Sequence, residues 1–557
     1  MALTTAAMRL RRRLSSGEWW SAPAGNRFVG WCAGAAFAPF GILALRIAVI
    51  RPRVYLAGDL AIMDVTVRRA LHWQGALGPY DRFHWHHPGP ILVYMFAFAD
   101  RIVGASNGAA AQMIVAALVA AVCLGGIVLA LAWGQKLSRT TVVLAVATTL
   151  AFALLLGDQT VLDPWNPHIV VLPMVLLGFL AARSWCGSAS SFLAAVLVAT
   201  FAIQSEIGTF PLAAALVLVA ATGTMRAWRR GELALRWRDG LWLIAAIAFW
   251  IPPIVQQATH HPGNLTLITR FFLASHPQAG ITYGIAATGG ALASSFGFTA
   301  PVVIFGPSTR VFVEYALMSA AAVAALSYGV VARERHMRLF AALACGAIVV
   351  STVASADITG LVGSYLVAWA AAPAVWLVVG AIPATARWVH GARAGLASAL
   401  AVTALVIVAV SVVRPSLGPV EQAPTLGRIT SLVTHELRGR RHPSVAIDFS
   451  DWTTGWLTPG LADQLDMRRI RYAVPSVFRF PLGSTARPSS MADTVALVDR
   501  GYTAPAGLVE IGRAGTVGVY WGPTPPRQRR IGHRFAAAKS AMRASPNSTA
   551  TISPQNR

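Results

Sequence analysis

Residues 28–50 read FVGWCAGAAFAPFGILALRIAVI, and residues 58–90 read GDLAIMDVTVRRALHWQGALGPYDRFHWHHPGP. The first stretch is apolar and long enough to cross a bilayer, which takes about 20 mainly apolar residues. The second crowds polar groups against its end: two carboxylates, Asp59 and Asp64, a basic pair, Arg68 and Arg69, and a histidine-proline segment from His84 to Pro90. Ionisable groups pressed against a membrane-spanning segment are costly unless they have a task. The two stretches together set the class of fold and the region in which to look for function.

The rest of the chain agrees with a polytopic membrane protein. Of 557 residues, 55% are hydrophobic and only 12% charged, and the mean hydropathy is +0.58. These values exclude an ordinary soluble domain. The net charge of +24 does not point to nucleic acid, because the arginines lie mostly in short loops between apolar runs, the pattern of membrane orientation. Cys32, Cys123, Cys186 and Cys345 are far apart and match no disulfide framework or zinc spacing. The basic N-terminus, residues 1–27, is expected to be cytoplasmic and to precede a retained first span rather than a removed signal peptide.

Apolar runs predict about 11 spans, at 28–50, 108–132, 140–157, 167–183, 190–204, 208–223, 240–256, 310–332, 338–356, 362–382 and 395–413. Basic connections (9–13, 136–139, 183, 226–238, 333–338, 387–393) alternate with connections nearly free of Lys and Arg (157–166, 204–207, 357–364). Placing the basic set in the cytoplasm puts the first polar loop, 51–107, outside, along with the 257–309 loop and the C-terminal region. Segment 88–104 is short and contains Asp100 and Arg101, so it is expected to lie in the outer interface. Segment 60–74 reads as a second interfacial helix, with Leu60, Met63, Val67, Ala70 and Leu71 on one face and Asp64 and Arg68 on another. The 280–305 stretch reads as a re-entrant segment or a poor span. From 414 to 524 the pattern changes to short strands (SVAIDFS, RRIRYAVP, TVALVDRG, TVGVYWG) with helices near 426–438 and 459–467, a small α/β domain outside the membrane. Residues 525–557 are basic, Ser/Pro-rich and expected to be disordered.

Several polar residues stand out against this background. Asp59 can act as a base, cap the 60–74 helix, or do both. Asp64 can pair with Arg68 four residues on, orient a substrate or hold a metal. Arg68, Arg69, Arg82, Arg101 and Arg270 suit either a bound phosphate or lipid headgroups. His84, His86 and His87 before Pro88 can pack at the interface ahead of a proline-set helix start, or meet a phosphate or a metal, although their spacing matches no standard metal site. In the loop GDQTVLDPWNPH, Asn166 and Pro167 can cap and start the next span. Asp163 and His168 are not needed for that and suit a pocket. Trp165 can stack on a sugar or simply sit in the interface. Gln204 and Glu206 lie at the outer end of a span, where an ionisable group is a functional candidate. His260, His261 and His276 are weaker candidates.

An Asp at the end of the first span, a following interfacial helix and then a proline-led one resembles the GT-C superfamily of membrane glycosyltransferases. GDLAIMD followed by WHHPGPILVYMFAFADRIVG looks like the first outer loop of protein O-mannosyltransferases and lipid A aminoarabinose transferases. It is also similar to actinobacterial cell-wall arabinofuranosyl- and mannosyltransferases. The likeness covers about 28–413 and is concentrated in 58–104. It implies a polyprenyl-phosphate sugar donor, an inverting displacement on the outer face of a plasma membrane, and an extracytoplasmic glycan, lipid or protein acceptor. By position it makes Asp59 the catalytic aspartate, with Asp64 second, and aligns His87-Pro88 with the start of the proline-led helix. Two departures stand out: Leu60 separates Asp59 from the next carboxylate, and His-Pro-Gly-Pro replaces His-Pro-Pro. No cofactor is certain, and a divalent metal is left open. The competing readings are a transporter or flippase of a lipid-linked sugar, and a non-catalytic scaffold for cell-wall synthesis. A transporter would tend to show internal repeats and midplane polar groups, and none is visible here.

Overall fold

The computed structural model describes residues 18–524 apart from 53, 76, 105–107, 234–236, 298–306, 361, 387–422 and 484–486. The described residues of Met1–Arg53 and Val67–Val420 form one compact unit, and those of Val54–Thr66 and Glu421–Arg557 form another.

The first unit is a bundle of membrane-spanning helices. In chain order the elements are α1 (Asn26–Ile50), α2 (Gly58–Ala70), α3 (Ile91–Val103), α4 (Ala109–Ala132), α5 (Arg139–Leu156), α6 (Asn166–Trp185), α7 (Ala189–Ser205), α8 (Ile207–Arg229), α9 (Asp239–Thr259), α10 (Asn264–Leu273), α11 (Ile281–Ser294), α12 (Thr309–Val331), α13 (Arg335–Ala356) and α14 (Ser364–Ala386). Among the described residues, nine of these helices are long and apolar enough to cross a membrane: α1, α4, α5, α6, α8, α9, α12, α13 and α14. The run at 190–204 is the 17-residue α7, about 26 Å long and at the lower limit for a span. The predicted span at 395–413 and the tail from 525 lie outside the described residues.

The awkward segment at 88–104 is α3, with 13 residues. At 1.5 Å per residue it is about 20 Å long and cannot cross a core about 30 Å thick. Its Leu92, Val93, Phe96 and Ala97 are buried while Phe98 and Ile102 are exposed. The 280–305 stretch contains the 14-residue α11, in which Ala286 through Ala293 are all buried. Small residues there let the backbone pack closely where lipid supplies no hydrophobic drive between helices.

α6 is the centre of the bundle and α12 its periphery, with 89% and 6% of their apolar windows buried. α6 packs tightly against α14. Trp376 is fully buried and its Nε1 donates to the Val175 carbonyl at 2.9 Å. Its ring lies over Gly178, where an added Cβ would come within 2.1 Å of Cε2.

In the second unit, α15 (Thr425–Glu436) and α16 (Trp452–Met467) accompany five strands: β1 (Ser444–Phe449), β2 (Arg471–Ala473), β3 (Asp493–Val498), β4 (Val509–Ala514) and β5 (Val517–Pro523). The sheet order is β2-β1-β3-β5-β4. β1 pairs in parallel with β2 and β3, and β5 pairs antiparallel with β3 and β4. β4 was not anticipated. Its sequence, VEIGRA, has two charges and a glycine, and the ladder is irregular between Glu510 and Gly512. α16 begins seven residues before the expected 459, because Asp451 and Thr454 form a reciprocal capping box at its start.

Val54–Thr66 belongs to this second unit. The Ala423 N–H donates to the Tyr55 carbonyl at 2.9 Å, and Gly460 leaves room for the Leu56 carbonyl, which a Cβ would meet at 2.5 Å. The boundary between the units therefore falls inside α2, after Thr66.

Replacing Gly178 with Ala forces the Trp376 ring to move and is expected to destabilise the bundle by about 1–3 kcal/mol. Gly34→Ala, where a Cβ meets nothing within 4 Å, should be neutral or slightly stabilising. Thermal melts of the two purified variants in the same detergent check the contrast, and equal melting temperatures would refute this packing.

Candidate functional site

The loop between α2 and α3 folds back on itself. Tyr80 and His86 form an isolated antiparallel bridge. The Asp81 N–H donates to the Trp85 carbonyl at 2.7 Å, and the His87 N–H to the Pro79 carbonyl at 2.8 Å. At the tip, Asp81 Oδ1 accepts from the Phe83 N–H at 2.9 Å, an Asx turn, and His84 takes a positive φ of 66°. This turn presents His86 and His87 to three other segments of the bundle.

His86 is clamped through its backbone. Its N–H donates to Asn264 Oδ1 at 2.9 Å, and Asn264 Nδ2 donates back to the His86 carbonyl at 2.8 Å. Asn264 is itself positioned by Gln256 Oε1, which accepts its N–H at 3.0 Å. The His86 Nδ1 lies 3.1 Å from the Gly78 carbonyl and so carries the hydrogen. Burial holds this imidazole down to about 4, below its ordinary 6.5.

His87 enters a buried polar junction. Its Nδ1 accepts from the Ile207 N–H at 3.0 Å, so the neutral ring carries its proton on Nε2. That nitrogen lies 3.4 Å from Glu206 Oε2. Asn166 Nδ2 donates to the same carboxylate oxygen at 2.7 Å. The 3.2 Å separation of Asn166 Nδ2 and His87 Nε2 is then a contact between two hydrogen-bearing nitrogens that share one acceptor. Glu206 Oε1 accepts from the Gly208 N–H at 3.3 Å. His87, Asn166 and Glu206 are 2%, 7% and 5% exposed. Burial dominates both titrations: it depresses His87 to about 4 and raises Glu206, in the break between α7 and α8, to about 7.

Asn166 was expected to cap α6. Instead Trp165 occupies the cap position, and the Asn166 amide reaches across to Glu206, a buried acceptor that would be costly to leave unpaired. Pro167 takes its expected place in the first turn. Asn264, Gln256 and Asp81 were not singled out from the sequence. The first two look like ordinary polar residues flanking a loop, and only the fold shows what they hold. Burial raises the Asp81 carboxyl above its ordinary value.

The Pro88-Gly89-Pro90 turn carries the chain into α3 against Gln204. A Cβ on Gly89 would fall 2.0 Å from Gln204 Oε1. The departure from His-Pro-Pro thus has a local steric reason. Gln204 Nε2 donates to the Phe249 carbonyl at 2.8 Å, while its buried Oε1 has no hydrogen-bond partner among the described residues.

Asp163 and His168 form a buried pair, with Oδ2 and Nδ1 2.7 Å apart. Asp163 Oδ1 also accepts from the Trp165 N–H at 3.2 Å. The Trp165 ring packs edge-on to His168 at 5.2 Å and against Tyr365 at 4.6 Å.

Asp59 and Asp64 lie on the Val54–Thr66 side of α2. The Ala61 N–H donates to the Ala57 carbonyl, and Gly58 adopts a φ of 50° that side chains disfavour. The helix therefore starts before the expected residue 60, and Asp59 sits within its first turn, where a carboxylate meets the positive end of the helix dipole. Asp59 is half-buried. Asp64, expected on a polar face, is only 1% exposed, like Leu60, Met63 and Val67, because α2 is enclosed on more than its apolar side. Arg68 and Arg69 are half-buried, and Arg82, Arg101 and Arg270 are exposed. Arg82 donates to the Thr359 carbonyl at 2.9 Å. Among the described residues, no group of three or more His, Cys, Asp or Glu side chains is placed to hold a metal ion.

No protein-family model matches the chain, and no curated protein matches it significantly. A similar solved structure is an Archaeoglobus fulgidus oligosaccharyltransferase tethered by a disulfide bond to an acceptor peptide containing the NVT sequon. The two share 13% identity at a TM-score of 0.41, over 80% of this chain. The chain spans 64% of the length of that structure.

Two outcomes test the junction. Asn166→Ala strips a donor from a buried carboxylate and should cost about 1–3 kcal/mol in a thermal melt. Glu206→Gln imitates the protonated acid. With a folded value of about 7 above the ordinary 4.5, the wild-type contribution is complete at low pH and is lost as pH rises through that window. The melting temperature of Glu206→Gln should therefore gain on wild type between pH 5 and pH 7.5. A constant difference across that range would contradict a raised Glu206.

Proposed function

We propose that the protein is a GT-C-type glycosyltransferase that takes a sugar from a polyprenyl phosphate and places it on an extracytoplasmic glycan, lipid or protein. The observation that carries this reading is the setting of His87. It is the residue that aligns with the start of the family's proline-led helix, and both its ring nitrogens face partners at the break between α7 and α8, where Asn166, from the break before α6, shares the Glu206 acceptor. Those breaks, with the α9–α10 turn that holds His86, are connections poor in Lys and Arg. Hydrogen bonds tie them to one end of the bundle. At the other end the basic connections meet, with Arg226 over the Trp185 ring and the Ala24 N–H bonded to Leu137. The positive-inside rule puts the His87 end outside a plasma membrane.

In this mechanism Asp59 takes the proton of the acceptor hydroxyl, with Asp64 as the second candidate. The acceptor oxygen attacks the anomeric carbon, and the bond to the donor phosphate breaks with inversion. The phosphate leaves with the bonding electrons, its charge balanced by an arginine among Arg68, Arg69, Arg82 and Arg270. Trp165, with Asp163 and His168 behind it, offers an aromatic surface for a sugar ring. The second unit is assigned to acceptor binding.

The test is sugar transfer from synthetic polyprenyl-phosphate sugars by protein in lipid nanodiscs. Asn in place of Asp59 keeps size and polarity but cannot take a proton. Asp59→Asn should lower kcat by about a hundred- to ten-thousand-fold with an unchanged melt. Full turnover in that variant would remove Asp59 as the base. An absence of turnover with every donor in well-folded wild type would overturn the enzyme in favour of a lipid-linked sugar transporter or a scaffold.

A further inference from the structure

The three residues that lead into Gly58 and Asp59 are held by the C-terminal part of the second unit. The Ala423 N–H donates to the Tyr55 carbonyl at 2.9 Å. The Tyr55 ring lies over Gly427 of α15, where an added Cβ would fall 2.8 Å from Cε2. Gly460 of α16 faces the Leu56 carbonyl and the Ala57 Cα, which a Cβ would meet at 2.5 and 3.4 Å. Leu56, Ala57 and Leu426 are buried. Both glycines lie inside helices, where Gly costs about 1 kcal/mol relative to Ala, and the close approach of the 55–57 segment is the physical reason for them. This seat runs straight into α2. The Ala57 carbonyl accepts from the Ala61 N–H at 3.2 Å, which ties it to the first turn of the helix that carries Asp59.

We infer that α15 and α16 seat the base: Gly427 and Gly460, acting through Tyr55, Leu56 and Ala57, are positioning residues that set where the first turn of α2 presents Asp59. A base works within hydrogen-bond reach of the proton it takes, and a misplacement of about 1 Å can cost a hundred-fold in rate. The atoms that face Gly460 from this segment are backbone, so displacing them displaces the start of α2 and not a side chain alone. The role of Asp59 as base rests on the glycosyltransferase reading. The seat gives the second unit a part in catalysis beside its assignment to the acceptor.

Sugar transfer by full-length variants in nanodiscs tests the seat, with melts to show that each is folded. Gly460→Ala should lower kcat about ten- to a hundred-fold and leave the KM of the donor within about two-fold. Gly427→Ala, whose added Cβ meets a ring that can turn, should lower kcat about three- to ten-fold, and it carries the test if Gly460→Ala does not fold. Gly455→Ala, on α16 but pressing on the Phe449 ring 3.1 Å away, should keep kcat within about two-fold. Added to Asp59→Asn, Gly460→Ala should change the residual rate by less than about two-fold, because no base is left to misplace. Carbodiimide labelling of carboxyl groups, read by peptide mass spectrometry, needs no turnover. Gly460→Ala should raise the labelling of Asp59 relative to that of the exposed Asp357. Unchanged kcat in both Gly460→Ala and Gly427→Ala, where Asp59→Asn is inactive, would overturn the seat and keep the base. An equal loss in Gly455→Ala, or a full further loss in the double variant, would overturn it as well, since the glycines would then act through general packing. Raised Asp59 labelling in a protein that transfers no sugar would remove the enzyme and keep the seat, and unchanged labelling in both glycine variants would remove the seat whether or not sugar is transferred.

Discussion

A carboxylate buried at a break between two membrane helices is the constraint on which this end of the bundle depends. Glu206 is 5% exposed, and a charge taken from water to that depth is costly unless it is paired or neutralised. The fold answers from three directions. Asn166 reaches it from the start of α6, Gly208 from its own turn, and the His87 ring approaches from the first loop. Each donor belongs to a different segment, so satisfying one side chain fixes three chain connections relative to one another. The pairing of Asn264 with both backbone groups of His86 adds a fourth.

His87 also shows why the junction is rigid rather than adaptable. Its Nδ1 must accept from Ile207, so the ring cannot take a second proton without setting two N–H groups against each other. Burial opposes that proton as well. A neutral imidazole with a single permitted tautomer holds the Pro88-Gly89-Pro90 turn at a fixed angle into α3. Gly89 lets the turn lie directly against the Gln204 side chain, which an added Cβ would have to displace. The glycine that sets this chain's His-Pro-Gly-Pro turn apart thus sits where its own packing leaves least room.

Much of the fold was legible because the membrane imposes a length. Runs such as 108–132 and 310–332 needed only hydropathy to be placed, and α4 and α12 match them closely. α3 was legible for the same reason in reverse, since Asp100 and Arg101 shorten its apolar run. The second unit was harder. β1 and β3 are buried and apolar, but the edge strand β4 is stabilised by its partner β5 rather than by its own composition. Within the site, His87, Glu206, Asp163 and His168 were visible as polar residues in costly places. Asn166 and Asn264 were not, because an asparagine beside a helix start has a sufficient local explanation. Its real partner is 40 residues away for Asn166 and 178 for Asn264. The grouping of Val54–Thr66 with the C-terminal residues was also hidden, because it depends on contacts such as Ala423 to Tyr55 across most of the chain.

These burial patterns separate two kinds of polar residue that the sequence presents as one cluster. Glu206 and His87 are held by burial toward their neutral forms, and every polar atom of their side chains faces a partner. Groups in that state stabilise and orient, but they offer no charge to a developing transition state. Balancing the charge of a leaving group takes dipoles or charges aimed at it, and the hydrogen-bonding groups of this junction are already aimed at one another. Asp59 is half-buried in the first turn of a helix whose dipole favours its anion, and Arg270 faces an open cleft. A difference in dielectric position separates them: the neutral junction sets the geometry of the loop, and Asp59 keeps more access to solvent than Glu206.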